Sequence, residues 1–355
     1  MKKIIIIIGL VLWTAFLFII ISNSGLLSGV GLEKGVVTDL IDDVTHKKGR
    51  LVLRVVDGEK GLGLGGRSYQ IIDKETGDRV ARLKTDGEGQ ALSKKIKQDQ
   101  TYLLVDQNLW GYYGSKTSLE FDLVSDQKTL TLTLNMPDHI LDYDINSEGQ
   151  VIIHEVAYDL PVVYQKPFLP NGCEITAATA VLQAYGYDID HVFLSDHYLP
   201  TADFYEADGR TYGADPNIAF AGHPKDPDSW YVFPPPIVVA LNDYIEDEGG
   251  NYQATDITGS SLDQLKDHID NGQPVMAWTT LDLSLSRYGM GWYLRGSDNY
   301  YRPYINLHCV VLYGYEGNDF LVMDPLKGRV RYDQEAFMRA YDSIGSRGVI
   351  IYNNE

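Results

Sequence analysis

The stretch that decides the fold runs from residue 160 to residue 186 and reads LPVVYQKPFLPNGCEITAATAVLQAYG. Its first five residues, Leu160–Tyr164, form an apolar run that is typical of a short strand. An Asn-Gly pair then predicts a turn, and apolar residues at helical spacing predict a helix that begins at Cys173 and stops at Gly186. The sequence therefore predicts a strand, a loop and a helix, with a cysteine at the helix N-terminus.

This position has chemical consequences for Cys173. Unpaired backbone N–H groups and the helix dipole stabilise an anion at a helix N-terminus, so Cys173 is predicted to be a thiolate, the nucleophilic form of cysteine. Eight residues before it, Gln165 carries a side-chain amide that could donate to an oxyanion. The alternative is a buried cysteine that only begins a packed helix. These residues alone do not decide between the two.

A second informative stretch, Ile305–Pro325, has two apolar runs around a turn, which predicts an antiparallel hairpin. With the turn centred at Glu316, His308 falls opposite Asp324, and opposed residues share one face. A cysteine nucleophile requires a base and a group that orients the base. The alternative is a His–Asp pair that only stabilises the hairpin. The expected catalytic site consists of Cys173, Gln165, His308 and Asp324.

Composition limits the classes of partner. The chain has 355 residues, a net charge of -19 and a pI near 4.7, which argues against nucleic acid or an anionic membrane surface as a partner. Its two cysteines, Cys173 and Cys309, exclude a disulfide scaffold. Neighbours on a strand face opposite sides, so Cys309 is expected to face away from the site. No spacing of ligands indicates a metal site, and no cofactor is expected.

The N-terminus predicts a membrane segment. Lys2 and Lys3 precede an uninterrupted apolar run, Ile4–Ile21, which would extend about 27 Å as a helix and match the thickness of a bilayer. We interpret residues 1–22 as an anchor that leaves the rest of the chain outside the cell. A cleaved signal segment, and hence a secreted protein, is the alternative. Residues 23–48 then form a tether.

Two domains follow the tether. Residues 49–136 contain short alternating runs separated by turn residues, which predicts a small all-β sandwich. The stretch Gly61–Gly66 matches GxGxxG but leads into a strand, so it indicates a strand connection and not a dinucleotide site. Residues 137–150 are polar and acidic and are predicted to be a linker. Residues 151–355 mix helices and strands, an α+β domain. The predicted strands of the first domain are Leu51–Val56, Ser68–Ile72, Ala81–Lys84, Thr101–Val105, Leu119–Val124 and Thr129–Leu134.

The first domain resembles the prealbumin-like repeat domains of Gram-positive adhesins and pilins. The residues that carry the resemblance are LVLRVVD from Leu51, TDGEG from Thr85 and YLLVDQNLWGYY from Tyr102. The resemblance implies a β-sandwich that acts as a stalk or docking module.

The second domain resembles a papain-like cysteine peptidase family related to the bacteriocin-processing, double-glycine peptidases. The matching motifs are NGCEITAATAVL from Asn171, GADPNIAFAGHP from Gly213, YVFPPPI from Tyr231, LHCVVLYGY from Leu307 and VMDPLKG from Val322. The resemblance implies a papain-like fold. It also implies a nucleophile, a general base, an orienting carboxylate and an oxyanion donor, which are Cys173, His308, Asp324 and Gln165 in that order.

These observations predict a membrane-anchored extracellular thiol hydrolase that cleaves a peptide or amide bond. Its substrate would be a peptide or protein outside the membrane, with cell-wall material among the candidates. An acyltransferase that uses the same residues is one alternative. A surface adhesion protein whose domains only bind is another, and it does not require all four site residues.

Overall fold

The computed structural model describes residues 47–108 and 118–353. The predicted anchor, Ile4–Ile21, and nearly all of the predicted tether lie outside these residues. In the described part of the chain, no helix is both long enough and apolar enough to cross a membrane. The described residues divide into two units, which are taken in turn below.

The first unit is built from strands. It comprises residues 47–108, 118–134 and 147–150. Its strands are β1 Lys48–Asp57, β2 Ser68–Asp73, β3 Arg79–Lys84, β4 Gln90–Leu92, β5 Ile96–Lys97, β6 Gln100–Asp106, β7 Ser118–Leu123 and β8 Gln127–Leu134. Strand β1 pairs with β4, with β5 and, in parallel, with β8, while β3, β2, β6 and β7 form a separate antiparallel sheet. All six predicted strands are present, and β4 and β5 are additional short strands. The likeness to prealbumin-like domains stays a prediction.

Strand β1 shows why these residues form a layered unit. Alternate side chains along it are buried, including Leu51 and Leu53, as expected where one face of a strand packs on a core. The Gly61–Gly66 stretch connects β1 to β2. A Cβ atom on Gly63 would lie 2.1 Å from the carbonyl oxygen of Glu88, so glycine permits a close approach of two backbones there. The prediction of a strand connection is confirmed.

The second unit comprises residues 135–146 and 151–353 among those described and mixes strands with helices. Its strands are β9 Ile140–Ile145, β10 Val151–Ala157, β11 Thr201–Ala202, β12 Tyr205–Ala207, β13 Arg210–Gly213, β14 Phe220–Ala221, β15 Tyr252–Asp256, β16 Val275–Thr280, β17 Trp292–Leu294, β18 Tyr300–Tyr301, β19 Leu307–Glu316, β20 Asp319–Asp324, β21 Gly328–Asp333 and β22 Gly348–Asn353. Its helices are α1 Cys173–Ala184, α2 His191–His197, α3 Pro234–Asp247, α4 Leu262–Asp270 and α5 Gln334–Ser343.

A central sheet of eight strands organises this unit. Strands β15, β22, β16, β19, β10 and β9 are neighbours in that order, and β20 and β21 extend it from β19. One face of β19 packs in a core with α1 and α3, through residues such as Val311. The other face packs in a second core with α4 and α5, through residues such as Val310. A strand covered on both faces is apolar throughout, which explains the continuous run in the sequence of β19.

Two predictions about the region before α1 are wrong. Residues 137–150, predicted as a linker, contain β9, which pairs with β10 at the edge of the central sheet. Its inward residues Ile140 and Tyr143 pack in the core with α4 and α5, while its acidic residues gave the segment a linker-like composition. Leu160–Tyr164 is not a strand, because it pairs with no other strand. The carbonyl of Leu160 instead accepts a hydrogen bond from Arg329 at 2.7 Å.

Candidate active site

The loop before α1 fixes the position of Cys173. Cys173 is the first residue of the helix and is 8 % exposed. A Cβ atom on Gly172 would lie 2.6 Å from the Cβ atom of Leu169, so only glycine lets the chain pack this tightly before the helix. The Asn171 Nδ2 group lies 2.9 Å from the carbonyl oxygens of three residues of the 226–229 segment and shares its two hydrogens among them. The predicted Asn-Gly turn and the helix after it are confirmed.

His308 and Asp324 are in contact, as predicted. The Nε2 atom of His308 lies 2.8 Å from Oδ1 of Asp324, and Asp324 is fully buried. The carboxylate also accepts hydrogen bonds from the backbone N–H of Leu326 at 2.8 Å and from the Tyr332 hydroxyl at 2.9 Å. Burial raises the pKa of Asp324, but the hydrogen bonds and the nearby His308 lower that pKa more, so it lies well below its usual range. Asp324 is therefore ionised and holds the imidazole.

The geometric reason for this contact differs from the predicted one. The turn is Gly317-Asn318, and an irregularity interrupts the ladder between Leu312 and Gly314. Extending the last pair, Val311 with Met323, by one position would place Asp324 opposite Val310 and not opposite His308. His308 is thus the diagonal neighbour of Asp324 on the same face, a separation that long side chains bridge.

Gln165, Cys173 and His308 line one cavity of about 370 Å³, which we call the Cys173 cavity. Asp324 lies behind His308 and does not line it. Apolar and aromatic side chains form other parts of the wall, among them Trp230 and Ile305. A cavity with a nucleophile, a histidine and an amide on its wall has the composition expected of a site for acyl chemistry.

The Gln165 amide is directed differently from the prediction. The side chain is buried, and its Nε2 group donates to the carbonyl oxygens of Leu169 at 3.3 Å and Pro170 at 2.7 Å. Its Oε1 atom is buried without a hydrogen-bond partner. Both amide hydrogens are therefore engaged in this structure, and donation to an oxyanion requires exchange of one of these bonds.

The surroundings of Cys173 oppose the predicted thiolate. Burial raises the pKa of the Cys173 thiol well above its usual value, and Glu174 and Cys309 raise it further. A hydrogen bond from the Cys309 backbone lowers this pKa but does not compensate. Desolvation thus outweighs the helix N-terminus, and the protonated Sγ donates to Oε2 of Glu174 at 3.3 Å.

Sequence reasoning missed Glu174, which is fully buried beside the nucleophile. A signal for it was present. Apolar residues recur not only along the expected helix face but also three, four and seven positions after Glu174, at Ala177, Ala178 and Val181. A helix that is apolar all round has no solvent face, so its acidic residue must be buried.

The expectation that Cys309 faces away from the site is confirmed, because Cys309 does not line the Cys173 cavity. Cys309 is fully buried and belongs to the same core cluster as Cys173, between β19 and α1. Because side chains alternate along β19, Cys309 and His308 point to opposite faces of the sheet. The face to which Cys309 points is the one that α1 covers. Both cysteines are free thiols in this structure.

Comparisons with known proteins relate the second unit to one protein family. The model of the Peptidase_C39 like family matches residues 157–349. A protein described as a C39-like peptidase from Bacillus anthracis is 26 % identical, with a TM-score of 0.50, over 57 % of this chain and 98 % of that one. YvpB, an uncharacterized protein of Bacillus subtilis strain 168, is 26 % identical over 52 % of this chain and 70 % of its own.

A weaker likeness is to the peptidase domain of Streptococcus ComA, described as a bifunctional ABC transporter involved in quorum sensing. It is 14 % identical with a TM-score of 0.33, over 56 % of this chain and 99 % of that one. The family match, in contrast, covers more than half of the 355 residues. The chain therefore belongs to the Peptidase_C39 like family, and it is a cysteine peptidase-like enzyme.

Proposed function

We propose that this protein hydrolyses a peptide or amide bond with Cys173 as the nucleophile, His308 as the general base and Asp324 as the group that orients the base. The observation that carries the proposal is the 2.8 Å contact between His308 and the ionised Asp324, with His308 and Cys173 on the wall of one cavity. A buried His–Asp pair that only stabilised a hairpin would not need to face a cavity beside a cysteine.

The ionised state of Asp324 determines which nitrogen of His308 carries the hydrogen. An ionised carboxylate accepts and cannot donate, so Nε2 of His308 carries the hydrogen of the 2.8 Å contact. Nδ1 is then the basic nitrogen of the imidazole. It takes the proton from the Cys173 thiol as Sγ attacks the substrate carbonyl carbon.

The remaining steps follow from the same groups. Collapse of the tetrahedral intermediate breaks the C–N bond, and the amine leaves with the proton from Nδ1 of His308. A thioester then joins the acyl group to Sγ. Water attacks the thioester and gives a proton to Nδ1, and the departing Sγ recovers that proton, which restores the thiol.

Gln165 and the backbone N–H of Cys173 are the proposed oxyanion donors. The Gln165 bond to the Leu169 carbonyl is longer, at 3.3 Å, than the bond to Pro170, at 2.7 Å. We assign the longer bond as the one that exchanges for the oxyanion when substrate binds. Such a donor acts mainly on turnover, because its bond strengthens as charge develops on the oxygen.

We also propose that Ile4–Ile21 anchors the enzyme in the membrane and that its substrate is a peptide or protein outside the cell. The support is the apolar run after Lys2 and Lys3 in the sequence. An anchored enzyme of this kind meets exported proteins and cell-wall peptides.

The test of the hydrolytic function is cleavage of a peptide library by the full chain, with products identified by mass spectrometry. We expect defined cleavage products from the wild type and none from Cys173→Ala or His308→Ala. The matched control is His154→Ala, which removes another His–Asp contact, the exposed one with Asp144. Equal products from the wild type and Cys173→Ala would contradict the proposal.

A further inference from the structure

Glu174 has an environment that is unusual for a carboxylate. It is fully buried at the start of α1, and two other residues donate hydrogen bonds to it. Oε2 accepts the hydrogen bond from Sγ of Cys173 at 3.3 Å, and Oε1 accepts one from the backbone N–H of Val232 at 3.3 Å. Among the described residues, no cationic side chain contributes to its electrostatic environment. A negative charge at Glu174 therefore has hydrogen bonds but no counter-ion.

The groups around this pair come from three elements, α1, β19 and β20, and from the segment before α3. On α1, Cys173 is next to Glu174. On β19, Cys309 faces the pair from the core and His308 lines the Cys173 cavity. On β20, Asp324 is the acidic group, and its carboxylate faces His308 at 2.8 Å and the Lys327 ammonium at 3.4 Å. Before α3, the segment at Val232 offers a backbone N–H and no charge.

Burial acts in the same direction on both partners. It raises the pKa of Glu174 to about 7, against hydrogen bonds from the backbone and from Cys173 that lower this pKa. It also raises the pKa of the Cys173 thiol, and the charge of Glu174 adds to that increase. Two adjacent anions without a cation are strongly unfavourable in a buried site. The pair therefore accommodates one negative charge and not two.

We propose that Glu174 controls the protonation of the nucleophile, such that the Cys173 thiolate forms only while Glu174 is a neutral acid. This inference rests on the proposed role of Cys173. When Glu174 carries a proton, taken from solvent, its O–H can donate to Sγ. The S–H bond then breaks with transfer of its proton to Nδ1 of His308, and the site holds a single thiolate opposite an imidazolium. When Glu174 is ionised, the thiol keeps its proton.

Glu174 thus has a catalytic role, because it is in direct contact with the reacting sulfur atom. It also gives the enzyme a pH response near neutrality, because Glu174 ionises in that range. Below that range the neutral acid favours the thiolate–imidazolium pair. Above it the carboxylate opposes the thiolate, and reactivity at Cys173 falls.

The experiment is the alkylation rate of Cys173 by iodoacetamide as a function of pH, measured on the full chain in a Cys309→Ala background so that one thiol remains. Glu174→Gln keeps the shape and an acceptor for Val232 but removes the charge. We expect wild-type alkylation to slow as the pH rises through about 7, where Glu174 ionises, and Glu174→Gln to keep its rate, so that the variant is alkylated at least about tenfold faster near pH 8. The matched control is Glu246→Gln, the same exchange at an exposed position of α3, which should leave the profile unchanged.

The outcomes separate this proposal from the proposed function. If substrate-like electrophiles fail to label Cys173 at any pH in the wild type, Cys173 is not the nucleophile and the proposed function itself is contradicted. Labelling with the same pH profile in the wild type and Glu174→Gln would overturn the role of Glu174 alone. If Glu174→Gln does not fold, infrared difference spectra of the wild type decide. A protonated-carboxyl band that is lost between pH 6 and pH 8 and that shifts on alkylation of Cys173 supports the proposal, and its absence contradicts it.

Discussion

At the scale of single residues, Asp324 is the group on which the orientation of His308 depends. It has no exposed surface, and it accepts from the imidazole, a backbone N–H and a tyrosine hydroxyl. An amide at this position would keep the shape. It would lose the charge that stabilises the imidazolium, and it would favour the wrong tautomer of His308.

We predict that Asp324→Asn lowers kcat/KM by roughly 100- to 10,000-fold without abolishing activity. The measurement is steady-state cleavage of a peptide substrate by the full chain. Asp144→Asn, in the exposed His154 contact, is the control and should retain wild-type activity. Wild-type activity in Asp324→Asn would show that the carboxylate has no part in catalysis.

Glu174 also predicts how stability depends on pH. Its folded-state pKa is raised from 4.5 to about 7, so the folded protein binds the proton more tightly than the unfolded chain. Its contribution to stability is then fully present below about pH 4 and is lost as the pH rises toward 7. The shift corresponds to a loss on the order of 3 kcal/mol in the free energy of unfolding.

We therefore predict that Glu174→Gln gains stability relative to the wild type as the pH rises from 4 to 8. Urea unfolding of both proteins at several pH values measures the difference. A constant difference across this range would indicate that Glu174 is ionised in the folded protein with an ordinary pKa.

The sequence was enough to select candidate residues that line one cavity, Gln165, Cys173 and His308, but not to predict their protonation. A helix start after Asn-Gly placed Cys173 correctly. The state of its thiol depends on how completely the surrounding core excludes water, and that is a property of tertiary packing. The same limit applies to Gln165, whose amide hydrogens are taken by carbonyl groups of its own loop.

At the scale of elements, the helix α1 and the hairpin of β19 and β20 were predicted from local signals. Helical spacing of apolar residues and two apolar runs around a turn are enough for that. The register of the hairpin was not predictable. The position of the two-residue turn and a local irregularity in β19 shift which residues pair, and the apolar pattern of the sequence does not indicate either. Nor does local sequence show that α1 covers the Cys309 face of β19.

The position of Cys309 between α1 and β19 leads to a prediction for this layer. Cys309→Ala should retain activity, since no proposed step uses this thiol, and should lose about 1 kcal/mol of stability through the small cavity it leaves. Peptide cleavage and urea unfolding are the two measurements. A non-reducing peptide map of the native enzyme that shows a Cys173–Cys309 bridge would contradict a free nucleophile.

At the scale of the whole molecule, the boundary between the units was harder to predict than their content. The alternation of apolar and polar residues identified the strands of the first unit. Strand β9 was missed because its outward positions are acidic, and composition alone then resembled a linker. Strand β9 pairs with β10 across a turn, and the composition of one segment alone does not indicate such a pairing.

We predict that the full chain is retained in the membrane and that only detergent releases it. Leu10→Arg places a charge in the middle of the apolar run, where it costs about 2.5–3.5 kcal/mol, and should lower retention. Fractionation of cells that express the two forms makes the comparison. A mature protein in the medium with an N-terminus near Gly25 would contradict the anchor.

The central claim is that Cys173 forms a covalent acyl intermediate, and trapping that intermediate tests it most directly. The full chain is incubated with a peptidyl thiol-reactive electrophile, and the adduct is mapped by mass spectrometry. We predict one equivalent of adduct on Cys173, slower formation in His308→Ala and no adduct in Cys173→Ala. An adduct on Cys309 alone, or full peptide cleavage by Cys173→Ala, would contradict the claim.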